Sequence, residues 1–125
     1  MKIRIKKIQI ISREELDRDS LKVAKAFDEG RIYKSKYNGT VVESLDILHS
    51  LLTERRLALW RAIRDHKPES ISDAALVVGR SFRAVHRDLQ YLEAYGLISM
   101  KKSKGKRGDR QVPTSLADQL HVAVA

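Results

Sequence analysis

The chain has 125 residues, no cysteine, and 25 lysines and arginines against 16 aspartates and glutamates, a formal net charge of +9. That length suits one domain, or one domain with an appendage, and the missing thiols exclude disulfides, thiol nucleophiles and cysteine zinc sites, in keeping with a reducing, cytoplasmic setting. No apolar run reaches the roughly 18 residues of a membrane span, and the start alternates charge with isoleucine where a secretion signal is continuously apolar, so the positive excess points to a polyanionic partner and not to a membrane.

The first segment, KIRIKKIQII, sets Ile3 and Ile5 between Lys2, Arg4 and Lys6 and predicts a half-buried strand, with a change of phase at Ile8 and Ile10 such as a bulge or strand end produces. Ser12 and Glu15 have capping-box spacing, so a helix starts there, with Leu16, Val23, Ala24 and Phe27 on its buried face and Gly30 as its stop. RIYKSKYNG predicts a second strand ending in the Asn38-Gly39 turn signal, and Thr40 with Glu43 repeats the capping-box spacing for a helix through ESLDILHSLL. Thr53 caps a third helix, with Leu57, Trp60 and Ile63 on one stripe, which Pro68 ends. A cap within residues 70–73 opens the short helix DAALVVG, and Gly79 supplies a sharp turn. Ser81 then caps the helix SFRAVHRDLQYLEAYG, closed by Gly96. Two helices joined across a glycine turn are the parts of a helix-turn-helix. The tail LADQLHVAVA is apolar at Leu116, Leu120, Val122 and Val124 and is a helix or a strand that completes the N-terminal sheet or makes a dimer contact.

The helix after Gly79 and the segment that follows it carry the functional signal. Phe82, Val85, Leu89 and Leu92 fall in one quadrant for packing, while Arg83, Arg87 and Gln90 occupy the opposite side with His86 at its margin. Arginine and glutamine make bidentate contacts to guanine and adenine edges, so the first three turns have the chemistry of a recognition helix. Asp88, between the two faces, is read as pairing with a nearby arginine or with the wing base, since a carboxylate turned to DNA lowers affinity. Next, LISMKK, SKGKRGD and RQVPT predict a β-hairpin with a basic tip: Lys101, Lys102, Lys104, Lys106, Arg107 and Arg110 put six cations into ten positions beside the acid Asp109. Such a wing reaches the phosphate backbone or the minor groove while the helix lies in the major groove. The charge is uneven in the same sense, +3 over residues 1–52 from 11 basic and 8 acidic side chains, and +6 over 53–125 from 14 and 8.

On these residues the chain resembles the winged helix-turn-helix of the MarR-like superfamily, and within it a group of short prokaryotic transcriptional regulators. The features that carry the resemblance are Leu52-Thr53 with Arg56, the run Val85-His86-Arg87-Asp88, and Leu92 before Gly96-Leu97. It covers residues 41 to about 114 well and the first 40 loosely, where this chain is the more basic. The resemblance implies DNA binding through Ser81, Arg83, His86, Arg87 and the wing. Some members of that group resemble antitoxins, which implies autoregulation of an operon and a protein toxin as partner.

No glycine-rich phosphate loop, serine elbow or carboxylate pair supports catalysis, and His49, His66, His86 and His121 lack metal-ligand spacing, so no enzyme activity, cofactor or metal is expected. Glu14, Glu15 and Asp17 are explained as first-turn acids. RNA is disfavoured because the strands lack paired aromatics that stack unpaired bases. The expectation is an α+β winged helix-turn-helix over 41–114, a small N-terminal α/β appendage over 1–40 for dimerisation or partner contact, and an apolar segment over 115–125. Two functions stay open: a dimeric repressor reading the major groove of double-stranded DNA, and an antitoxin that binds its toxin through residues 1–50.

Overall fold

In the computed structural model, which describes residues 2–32, 40–105 and 108–124, the elements run β1 (Ile5–Ile10), α1 (Arg13–Asp28), β2 (Thr40–Val42), α2 (Leu45–Leu51), α3 (Glu54–His66), α4 (Ile71–Val78), α5 (Phe82–Ala94), β3 (Ile98–Gly105), β4 (Gly108–Ser115) and β5 (Gln119–Val124). The protein is α+β. A three-stranded parallel sheet has the order β2-β1-β5, and β3 and β4 form an antiparallel hairpin in register from Ile98↔Ser115 to Gly105↔Gly108. Among the described residues no helix is long and apolar enough to cross a membrane.

Every helix of the described residues starts at a serine or threonine in extended conformation whose side-chain oxygen accepts an amide three residues on: Ser12 from Glu15, Ser44 from Ile47, Thr53 from Arg56, Ser70 from Asp73 and Ser81 from Ala84, all at 3.1–3.2 Å. Each cap satisfies an amide that the first helical turn leaves without a partner. At the cap of α4, Gly79 takes φ 67°, and the amides of Gly79 and Arg80 close the helix on Leu76 O and Ala75 O. The left-handed backbone turns the chain sharply from α4 into α5.

One core joins the layers. Ile8 and Val42 of the sheet, Leu48 of α2, Leu59, Trp60 and Ile63 of α3, Ile71 and Ala74 of α4, Val85, Leu89 and Leu92 of α5, and Leu97 and Ile98 at the hairpin base pack in a single cluster. The first strand therefore contributes Ile8 to the same core as the helices. The tail takes one of the two forms open to it, a strand pairing in parallel with β1 from Ile5↔Gln119 to Ile10↔Val124.

Several expectations are corrected. In β1 the core phase belongs to Ile8, fully buried, whereas Ile3 and Ile5 are exposed, and the pairing with β5 runs through without a bulge. Lys6 takes the half-buried position ahead of Ile8, its ammonium beside Gly96 where α5 ends and carbonyls concentrate negative charge. The expected second strand and its Asn38-Gly39 turn fall on residues 33–39, outside the described residues, and Arg31 and Ile32 have no regular structure. Thr40 opens β2 and not a helix. Its buried hydroxyl donates to Tyr95 O, and Ser44 caps α2 in its place. On α1, Val23, Ala24 and Phe27 face outward; the buried residues are Asp19 and Ala26, with Leu16 half-buried. On α3, Trp60 and Ile63 are buried as expected, Leu57 only half-buried, and Leu59 and Ala62 complete the inner side. Phe82 is half exposed at 52%, so the inner side of α5 starts at Val85.

Candidate nucleic-acid interface

The orientation of α5 is set by a buried charge. Asp88 lies on the inner side of the helix, 4% exposed, with one carboxylate oxygen 3.2 Å from Arg56 Nε and the other 2.8 Å from Arg80 Nη2. Arg56 also donates to Ser50 O and Leu51 O at the end of α2, and its guanidinium lies 4.1 Å from the Tyr91 ring centroid. Arg56 thereby ties α2, α3 and α5 together, and Arg80 ties in the turn between α4 and α5. Of the two partners expected for Asp88, a nearby arginine and the wing base, it takes the arginine, twice over. It also turns two arginines inward, where they do not serve as a surface for a polyanion.

The opposite side of α5 carries Arg83, Arg87 and Gln90, all exposed, and neither arginine makes an ion pair among the described residues. His86 is half-buried, its ring stacked on Phe82 at 5.9 Å between centroids and 9° between planes. Phe82 thus steadies the histidine at the margin of the basic face. Ser81 is exposed, but its oxygen is engaged as the helix cap, which leaves its hydroxyl hydrogen as the group able to donate outward.

The hairpin brings a second set of cations. Lys101, Lys102, Lys104 and Arg110 are exposed, while Lys106 and Arg107 lie outside the described residues. Strand alternation and the Ser103↔Arg110 register put Lys101 and Arg110 on one face of the ribbon and Lys102 and Lys104 on the other. Arg110 lies 4.0 Å from the exposed Glu69 carboxylate, a contact that water screens heavily. The two sets are contiguous. A hollow of about 320 Å³ is lined by Ser70, Ile71 and Ser72 of the α4 start, Phe82 and His86 of α5, and Arg110 and Gln111 of β4.

The sequence profile of the HVO_A0114 family matches residues 51–122. The chain belongs to the HVO_A0114 family. The matched region spans α3, α4, α5, the hairpin and most of β5, so the Arg56–Asp88–Arg80 centre and both basic sets lie inside the HVO_A0114 portion, while β1, α1 and β2 lie outside it. No curated protein matches the chain.

Sequence reasoning missed two residues of this region. Arg80 was not singled out, and Arg56 stood in the Leu52-Thr53 motif without a role. Their link to Asp88 spans 8 residues in one case and 32 in the other, distances at which helical periodicity carries no signal.

Proposed function

We propose that this HVO_A0114-family protein is a sequence-specific double-stranded DNA-binding regulator with a winged helix-turn-helix of the MarR-like kind. In this reading α5 enters the major groove, where Arg83, His86, Arg87 and Gln90 meet base edges and Ser81 donates at the helix start. Lys101, Lys102, Lys104, Lys106, Arg107 and Arg110 of the hairpin contact phosphates or the minor groove. The protein acts in the cytoplasm without catalysis, as a homodimer on a two-fold operator, and represses by covering a promoter. The observation that carries the reading is the division of charge on α5: Asp88 is buried and neutralised by two arginines and the exposed Glu93 stands in the last turn, so the first turns present Arg83 and Arg87 exposed and in no ion pair among the described residues.

The test is a titration against the protein's own upstream DNA and a scrambled duplex of equal length at two salt concentrations. The reading expects a preference for the upstream duplex that survives the higher salt. Equal binding that collapses with salt, as non-specific phosphate contacts do, contradicts it.

A second reading, the antitoxin, draws on a different observation. Leu21 and Phe27 of α1 and the adjoining Ile32 are 68, 82 and 95% exposed, an apolar surface of the kind that protein partners cover. Under that reading Phe27→Lys abolishes neutralisation of a toxin encoded beside the gene and leaves DNA binding intact.

A further inference from the structure

The parallel sheet ends abruptly at β5. In the order β2-β1-β5 one edge is the three-residue β2, and the other is the six-residue Gln119–Val124, whose outer amides and carbonyls have no strand of the described residues beside them. Proteins blunt such an edge with charge, proline or a bulge. Here residues 119–124 contain no charged side chain and no proline, and their register with β1 is unbroken.

The core also stops short at this strand. In parallel register Leu120, Val122 and Val124 share a face with Lys6, Ile8 and Ile10, yet Ile8 is fully buried while Val122 is 49% and Val124 76% exposed. Beside them runs a groove of about 420 Å³ whose apolar lining includes Leu52, Leu57 and Trp60. Arg64 on its rim is held bidentately by Asp65 at 2.8 and 3.1 Å, and the exposed Arg61 also lines the groove.

We propose that two copies of the chain associate through antiparallel pairing of their β5 strands about a two-fold axis, joining two three-stranded sheets into one. A register in which the paired residue numbers sum to an even value keeps Leu120, Val122 and Val124 of both copies on the core side, and Gln119 and His121 on the other. Val122 of each copy then enters the groove of the second. Charge decides which occupant fits. Two chains of net charge +9 repel, and a strand with no charged side chain keeps like charges out of the strand pairing itself, with Arg61 left at the groove rim. Another exposed apolar surface, on α1, has Lys22 and Lys25 among Leu21, Val23 and Phe27 and suits a second copy less well. The inference deepens the homodimer of the proposed function and stands apart from its claim on DNA.

Sedimentation velocity of the full chain over a range of concentrations tests it. The wild type is expected to be a dimer. Val122→Lys and Val122→Glu, each at a half-exposed site, are expected to be monomers with unchanged far-UV circular dichroism, and an equimolar mixture of the two is expected to restore the dimer through opposite charges across the seam. Val124→Lys, at a more exposed position, serves if a substitution at 122 disturbs folding. A wild type that stays monomeric, a Val122→Lys protein as dimeric as wild type, or a dimer dissociated by Phe27→Lys and not by Val122→Lys overturns the proposal. A monomeric wild type that still prefers its cognate duplex removes the seam and leaves the DNA reading standing.

Discussion

Asp88 is where fold and candidate function separate most cleanly at the scale of single residues. Its carboxylate compensates two guanidiniums whose side chains are 15 and 19% exposed. Asp88→Ala leaves both without a partner in a poorly solvated place, and breaking such a buried pair costs about 3–5 kcal/mol. A urea or thermal melt is expected to show that loss, and a melt within about 0.5 kcal/mol of wild type contradicts the buried ion-pair account. Arg87, one position earlier, has the opposite profile: Arg87→Ala is expected to leave the melt unchanged while lowering operator affinity by about 1–3 kcal/mol and relaxing specificity at one base. Unchanged affinity means that the face assigned to base contact is wrong. The polarity of α5 was legible in the sequence because Arg83, Arg87 and Gln90 fall on one side at helical spacing. The error at Phe82 arose because the same spacing made it apolar and inward, whereas at the start of the helix it stacks on His86 instead.

At the scale of elements, the turn between α4 and α5 fixes how the basic helix is presented. Gly79 at φ 67° has open space where a Cβ would stand, so Gly79→Ala meets no clash and its cost is backbone strain alone, about 1–2 kcal/mol. A melt of that variant checks the magnitude. On the hairpin, Lys102→Ala is expected to weaken all duplexes alike and to lower the salt dependence of binding, because a phosphate contact carries no sequence information. A loss confined to the cognate duplex makes Lys102 a base-contacting residue. The helices were legible element by element because serine or threonine caps stand at each start. The cap of α2 was misplaced because Thr40 and Ser44 both qualify locally; what separates them is the contact of Thr40 with Tyr95, far along the chain. The burial of α1 was misjudged for a related reason: its apolar residues repeat at helical spacing, but spacing does not say whether another element lies against them.

Across the whole molecule, the sheet brings the two ends of the chain together. Arg4 donates its backbone amide to Asp118 at 2.8 Å and its guanidinium to the same carboxylate at 3.3 Å, and the Asp118 and Gln119 amides return to Arg4 O. The backbone bond first, and the side-chain bond after it, hold the Asp118 carboxyl below the ordinary 3.8. A group lowered on folding contributes stability that is fully present above its unfolded value and is lost as the pH falls through its folded value. Asp118→Asn is therefore expected to lower the melting temperature at neutral pH, with the gap to wild type closing once the pH falls below 3.8. A gap that does not change with pH means the carboxylate charge contributes nothing to the junction. This closure was the least legible feature in the sequence. The first ten residues read as a half-buried strand and the tail as a helix or a strand that completes the N-terminal sheet or makes a dimer contact, and parallel pairing across the length of the chain leaves no local mark to choose between these.

In the proposed function one continuous surface, the outer side of α5 with the adjoining hairpin, meets DNA. Backbone amide chemical shifts recorded as the full chain is titrated with its upstream duplex test this most directly. The changes are expected to concentrate at residues 81–90 and 101–110, while α1 and the outer edge of β5 stay fixed. Changes centred on α1 or β5, with residues 83 and 87 unmoved, contradict it.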